Sequence, residues 1–143
     1  MSEIRAATRE DEPAVTQLVK SSRLPLDGLT DALRCAVVAR DGPRVVGCAA
    51  LEVHGDSGLL RSVAVASDRR GEGLGQDLTR AALDLARERG LRRVYLLTTT
   101  AERFFPRFGF RRIARDEVVG PVRESVEFRT ACPASAAVMV LEM

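Results

Sequence analysis

Hydrophobic positions along the chain follow two spacings: alternation in short runs, and recurrence every three to four residues in two longer ones. Residues 4–6 read as a short strand. Thr8 stands as an N-cap before the acidic turn Glu10-Asp11-Glu12, whose charge suits the positive end of a helix. Val15, Leu18 and Val19 then recur at helical spacing, which predicts a helix over 11–20. Residues 24–33 are a connection punctuated by proline and glycine, with a short second helix around 30–33. Apolar runs over 36–39, 45–53 and 59–65 follow. They are separated by Asp41-Gly42-Pro43 and by His54-Gly55-Asp56-Ser57-Gly58, and they predict an antiparallel meander.

The pattern changes most sharply after Val65. Residues 67–75 read S-D-R-R-G-E-G-L-G, and an amphipathic helix begins near Glu72. Its apolar stripe is Leu74, Leu78, Ala81, Ala82 and Leu85, its polar side Gln76, Arg80, Asp84, Arg87 and Glu88, and Gly90 ends it. Val94-Tyr95-Leu96-Leu97 is a buried strand that Thr98-Thr99-Thr100 extends. A short helix over 101–107 precedes Phe108-Gly109-Phe110, and Ile113 marks a further strand. Pro121 opens a short helix over 121–129, and 138–141 closes as a strand. Without a repeat, a low-complexity tract or a linker, the expectation is one α/β domain of α+β character over residues 1–143.

Composition changes this picture in three places. Aromatic residues are only 4% of the chain, and all five Phe lie at or after Phe104, so the core of the first hundred residues has to be aliphatic. Tyr95 and His54 are each the single residue of their kind, which narrows the choice of acid–base groups. Basic and acidic side chains number 22 and 20, a near-balance that argues against a nucleic-acid partner. No run approaches the ~20 consecutive apolar residues of a membrane helix. The charged first eleven residues also lack the apolar region of a signal peptide. Cys35, Cys48 and Cys132 are odd in number and widely spaced, so neither a disulfide framework nor a bound metal is expected, and a cytoplasmic location is.

The candidate chemistry lies in Arg69-Arg70-Gly71-Glu72-Gly73-Leu74-Gly75, between a strand and a helix. The first turn of a helix presents backbone N–H groups without intrahelical partners, at the positive end of its dipole. Glycines let a phosphate approach the backbone closely, and the two arginines add charged donors; together they suit a pyrophosphate. A Walker A loop needs a lysine that is missing here. The dinucleotide fingerprint needs G-x-G-x-x-G in the first unit of a parallel sheet, whereas these glycines fall at 71, 73 and 75 after a meander.

The spacing R-x-x-G-x-G from Arg70 to Gly75 resembles the acetyl-CoA signature of the GNAT N-acetyltransferase superfamily. The element order across the whole chain and the segment Phe104-Phe105-Pro106-Arg107-Phe108-Gly109-Phe110 resemble it as well. Glu127-Phe128, the stretch 131–136 and Met139 are similar to a GNAT branch associated with arsenic-resistance operons. The resemblance implies a mixed, mostly antiparallel central sheet flanked by helices. It also implies acetyl-CoA as co-substrate and direct attack by the amine of a small amino-acid-like or arsenical acceptor within a ternary complex. Arg69, Arg70, Gly71, Glu72, Gly73, Leu74, Gly75 and Gln76 would hold the pyrophosphate. Val63, Ala64 and Val65 would offer backbone donors to the pantetheine arm and the oxyanion. A second copy of the chain is an allowed partner.

Two positions carry the remaining chemistry. Glu52 and His54, two apart on one strand, face the same way; burial in the apolar run would raise the Glu52 carboxyl and make it a base, while exposure would leave it an ordinary surface acid. His54 reads as a surface turn residue. The family's proton-donating tyrosine is matched here by Phe105, which the resemblance places at the acetyl-CoA site but which has no proton to give to the departing thiolate. That departure keeps two other readings open: a non-catalytic acetyl-CoA or metalloid sensor, and an acetyltransferase acting on proteins or peptides. Cys35, Cys48 and Cys132 read either as buried small hydrophobes or as thiolates for a metalloid, and Arg111, Arg112 and Arg123 as solvated charge or as an anion site.

Overall fold

The expected meander forms in the computed structural model, which describes residues 2–131 and 135–143. Strands β2 (Ala36–Asp41), β3 (Arg44–His54) and β4 (Ser57–Val65) pair antiparallel, and β1 (Glu3–Ala6) adds to β2. β5 (Arg93–Thr98) runs parallel to β4, and β7 (Ala137–Glu142) pairs antiparallel with both β5 and β6 (Arg111–Ile113). Among the described residues this makes a seven-stranded sheet in the order β1-β2-β3-β4-β5-β7-β6, the mixed and mostly antiparallel sheet expected. The turn anticipated over 54–58 is tighter: His54 already pairs with Ser57, leaving Gly55 and Asp56 to turn the chain.

Alternation along β5 sorts the core into two layers. Beyond the short α2 (Leu29–Ala32), Val94 and Leu96 join α1 (Glu12–Ser21) and α3 (Leu74–Glu88) on one face through Val15, Val19, Leu78 and Ala82. Tyr95 and Leu97 join Val118, Val122 and Phe128 on the other. The first layer is aliphatic until Phe105 and Phe110, as the position of the phenylalanines requires. α3 packs close over β3 because residue 47 is glycine: a Cβ there would stand 2.6 Å from Leu78 Cδ1. No helix among the described residues is long and apolar enough to cross a membrane.

Three local expectations change. α3 begins at Leu74 rather than near Glu72, because Gly71 and Gly73 both hold a positive φ, of 84° and 81°, that a right-handed helix excludes. Its buried face is also broader than the expected stripe, taking in Thr79, Leu83 and Ala86, with Ala81 and Leu85 at its margin. In place of one helix over 121–129 there is a 3-10 turn over Pro121–Glu124 and a π turn over Glu127–Ala131. Ser125 stands between them with an extended ψ of 135°. The helix expected over 101–107 is a turn followed by a 3-10 segment over Phe105–Phe108; Pro106 has no N–H to extend a longer ladder.

Candidate active site between two splayed strands

β4 carries an extra residue relative to β3. Cys48 pairs with Ala64 and Ala50 with Arg61, so Ser62 and Val63 both fall opposite Ala49, and Ser62 takes a φ of 58°. Such a bulge bends the strand and re-aims its side chains. β4 and β5 pair only from Ser57 to Leu59; beyond that point the two strands part. The backbone N–H groups from Leu60 to Val65 on that edge therefore have no ladder partner in β5, which is the condition for donating to something else.

On one side of the split lies a groove lined by Val63, Ala64, Val65, Arg69, Arg70, Gly71, Gly73, Leu74, Gly75, Gln76 and Phe105. These are all of the residues singled out for the phosphates and the pantetheine arm except Glu72, which is exposed and 4.0 Å from Arg69. The first turn of α3, from Leu74 to Gln76, lines it, and the first N–H groups of a helix have no intrahelical partner. Arg69 is anchored by Asp41, and Arg70 Nε donates to the Val65 carbonyl at 3.3 Å. Arg103 and Arg107 also line the groove, the latter stacked 4.7 Å from the Phe104 ring centroid. Sequence reading passed over this pair, although their spacing of four places both on one side of a helical turn.

On the other side is a cavity of about 490 Å³ that shares Leu24, Val63, Thr100, Ala101 and Phe105 with the groove. Its wall holds Arg23, Arg61, Thr98, Thr99 and Glu127. The Arg61 side chain is fully buried. Nη1 donates to Glu52 at 2.8 Å and to the Asp27 carbonyl at 2.6 Å, Nη2 to the Pro25 carbonyl at 3.1 Å, and Nε lies 3.1 Å from Glu127. This arginine ties the loop after α1 and the segment after Ser125 to the bulged strand. Neither Arg61 nor Glu127 was expected at the site; the one signal was a lone charge within the apolar run 59–65.

Glu52 faces the opposite way, into a separate cavity with His54, Ser125 and Cys35. His54 lies within β3, not on a surface turn, and its Nε2 is 2.7 Å from the carboxylate. Burial pushes the Glu52 carboxyl up, but hydrogen bonds from Arg61, His54 and Ser125 outweigh it and hold the group below its ordinary value. The elevated carboxyl expected from burial is not what forms, because the charge that comes to rest beside Glu52 is positive.

A parted strand pair, a glycine turn at a helix N-terminus and a groove joining them agree with the comparison of sequences. The acetyltransferase (GNAT) family matches residues 2–110. The chain belongs to this family. It is an N-acetyltransferase, with acetyl-CoA as its co-substrate. The acetyltransferase is 36% identical over 129 residues to an amino-acid acetyltransferase of Mycobacterium tuberculosis, a match covering 83% of this chain and 74% of that one. Against an amino-acid acetyltransferase of Ralstonia nicotianae it is 32% identical but spans only 26% of that protein. Among solved structures, Mycobacterium tuberculosis Rv2747 in complex with CoA and NLQ aligns at a TM-score of 0.81 and 30% identity, covering 99% of both chains. The two sequence relatives bear the name amino-acid acetyltransferase, and none of the three points to the arsenic-linked branch.

Arg111, Arg112, Arg123, Cys35 and Cys48 lie outside the groove and cavity. Arg111 pairs with Glu142, Arg112 with Glu102, and Arg123 donates to the Val118 carbonyl. Cys35 and Cys48 are both buried, and burial raises the Cys48 thiol to about 12, so it stays protonated. Cys132 lies outside the described residues, among which no group of three metal-ligating side chains occurs. Phe105 lines both the groove and the cavity, its ring edge-on to Phe104 and Phe110.

Proposed function

We propose that the enzyme acetylates the amino group of an amino acid, by direct attack on acetyl-CoA within a ternary complex. The observation that carries this reading is the continuity of groove and cavity through the parted strands, with Val63 and Phe105 shared by both. The groove has the makings of a phosphate cradle: Arg69, Arg70, Arg103 and Arg107 around the first turn of α3. The β4 edge supplies backbone donors for the pantetheine arm and the developing oxyanion. The cavity offers the exposed cation Arg23 and the buried acid Glu127, opposite charges that suit a zwitterion. The names of the relatives support the same acceptor class.

A thiol-release assay with acetyl-CoA across the proteinogenic amino acids, a peptide panel and an amine-bearing arsenical tests the proposal. Turnover with one or a few free amino acids is the expected result. Turnover confined to peptides or to the arsenical overturns the acceptor assignment, and tight acetyl-CoA binding with no turnover on any amine overturns the enzymatic reading itself.

A further inference from the structure

The cavity that Glu52 faces, of about 410 Å³, shares no lining residue with the groove or with the cavity between the splayed strands. Its place follows from where β2 starts. Ala36 at the head of β2 pairs with Ala50, whereas β3 runs on to His54, so Leu51–His54 has no ladder partner on that side. On the other side His54 and Ser57 face each other across a two-residue turn, and such a pair exchanges both its backbone hydrogen bonds. Alternation then turns the N–H and C=O of Val53 away from β4, to the open edge. No turn or loop hydrogen bond reaches either group. The Val53 side chain, 41% exposed, lines the cavity together with Val126, 37% exposed.

The charged groups of this cavity do not balance among themselves. Glu52 is held by Arg61, His54 and Ser125, and Glu124 lies 3.6 Å from Arg129. That leaves Asp31, Arg34 and Arg89. All three are exposed, and none has an ion pair or a side-chain hydrogen bond among the described residues. Two cations against one acid favour a ligand with one net negative charge over a zwitterion. The rest of the wall is mainly apolar, with Ala32, Leu51, Val53 and Val126. An open strand edge adds its own demand, since it recognises the backbone of an amino acid by pairing with it.

We infer that this cavity is a second binding site, for an N-acylated amino acid. That class is the product of the amine-acetylation reading above, on which the link to the enzyme's own reaction rests. The ligand's amide N–H donates to the Val53 carbonyl, and one carboxylate oxygen accepts from the Val53 N–H, as a residue of an added antiparallel strand would. Arg34 and Arg89 meet the carboxylate charge, and the acyl group lies against the apolar wall. Acylation matters because it removes the ammonium charge, for which the cavity keeps only Asp31 free. The C-terminus of a peptide offers the same amide and carboxylate, but brings the rest of its chain with it.

Titration of the ¹⁵N-labelled protein with N-acetyl-L-alanine, followed at the amide resonances of Leu51 and Val53, tests this. The Val53 resonance should shift and saturate. The dissociation constant read there should be at least ~10-fold weaker for L-alanine and for trialanine, which restore the ammonium, and for 2-acetoxypropanoate, which has no amide N–H. Reversing both cations together, R34E with R89E, should weaken N-acetyl-L-alanine at Val53 by at least ~10-fold. The same double variant should keep the wild-type rate of acetyl transfer, since neither arginine borders the groove or the cavity between the strands. Three results overturn the inference: no saturable shift at Val53, with changes confined to Val63 and its neighbours; equal affinity in the charge-reversed protein; or L-alanine, trialanine or the ester binding as tightly as the amide. A wild-type protein that binds N-acetyl-L-alanine at Val53 and acetylates no amine upholds the site and overturns the amine-acetylation reading alone.

Discussion

Arg61 shows how much one side chain organises. It is a charged residue in an apolar strand, with no exposed side-chain surface and with partners on three separate segments. Removing one member of a buried ion pair leaves the others charged and unsolvated, which costs about 3–5 kcal/mol. Arg61→Ala should therefore lower the unfolding free energy by that order in urea titration and remove amide-exchange protection from the loop at Pro25–Leu29. Replacing Arg44, whose pairing with Asp68 lies on the surface, should leave the midpoint unmoved. An Arg61→Ala protein as stable as wild type would mean that Glu52 and Glu127 find other partners. Phe105 makes the opposite point at the same scale. It occupies the junction of groove and cavity without a hydroxyl, so the proton that reaches the CoA sulfur comes from another source.

Among the elements, the start of α3 matters most. Two glycines in the left-handed region end the preceding loop, and the first turn of the helix, with its unpaired N–H groups, lines the groove. A Cβ at Gly73 meets nothing within 4 Å, so the cost of replacement there is conformational, ~1–2 kcal/mol, and the fold survives it. Gly73→Glu adds a negative charge where the phosphates would lie, and acetyl-CoA affinity by calorimetry should drop by at least ~10-fold, equivalent to ~1.4 kcal/mol. Unchanged affinity would move the phosphate site elsewhere. The bulge in β4 is the second decisive element, since it follows closely on Leu59, where β4 and β5 stop pairing. Of these two devices, only the glycine turn carries a residue pattern; a bulge at Ser62 has none, because serine reads as an ordinary strand residue.

For the whole molecule, two carboxylates define the response to acid. In Asp11, burial raises the group but hydrogen bonds from Arg5 and Thr8 prevail, and it lies below its ordinary value. Glu52 is lowered by Arg61, His54 and Ser125 against its burial; Asp68 is lowered by Arg44 as well, but that exposed pair adds little to stability. A group whose folded pKa is depressed contributes stability that is fully present above its unfolded value and is lost as pH falls through the folded one. The unfolded values are about 3.9 for Asp and about 4.3 for Glu. Thermal midpoints should therefore hold steady from pH 7 to about 5 and decline below about 4. A midpoint that rises on acidification from 5 to 4 would show that these carboxyls are elevated in the folded state instead.

The sequence by itself determined the element order, the meander, the aliphatic first layer and the glycine-rich turn before α3. Each depends on neighbours in the chain: alternation reports which face of a strand is buried, and glycines report where the backbone must take a conformation other residues resist. The cavity beyond the parted strands was not legible in the same way. Glu52 stood out because it interrupts an apolar run, yet its environment depends on an arginine from the next strand, which reverses the direction in which burial alone would move it. Glu127 lies in a tail whose local pattern reads as one helix, and only the break at Ser125 and the contact with Arg61 turn it toward the cavity. Tertiary structure decided these positions because a buried charge takes its properties from whatever the fold brings beside it, and such partners leave no periodic trace in the chain.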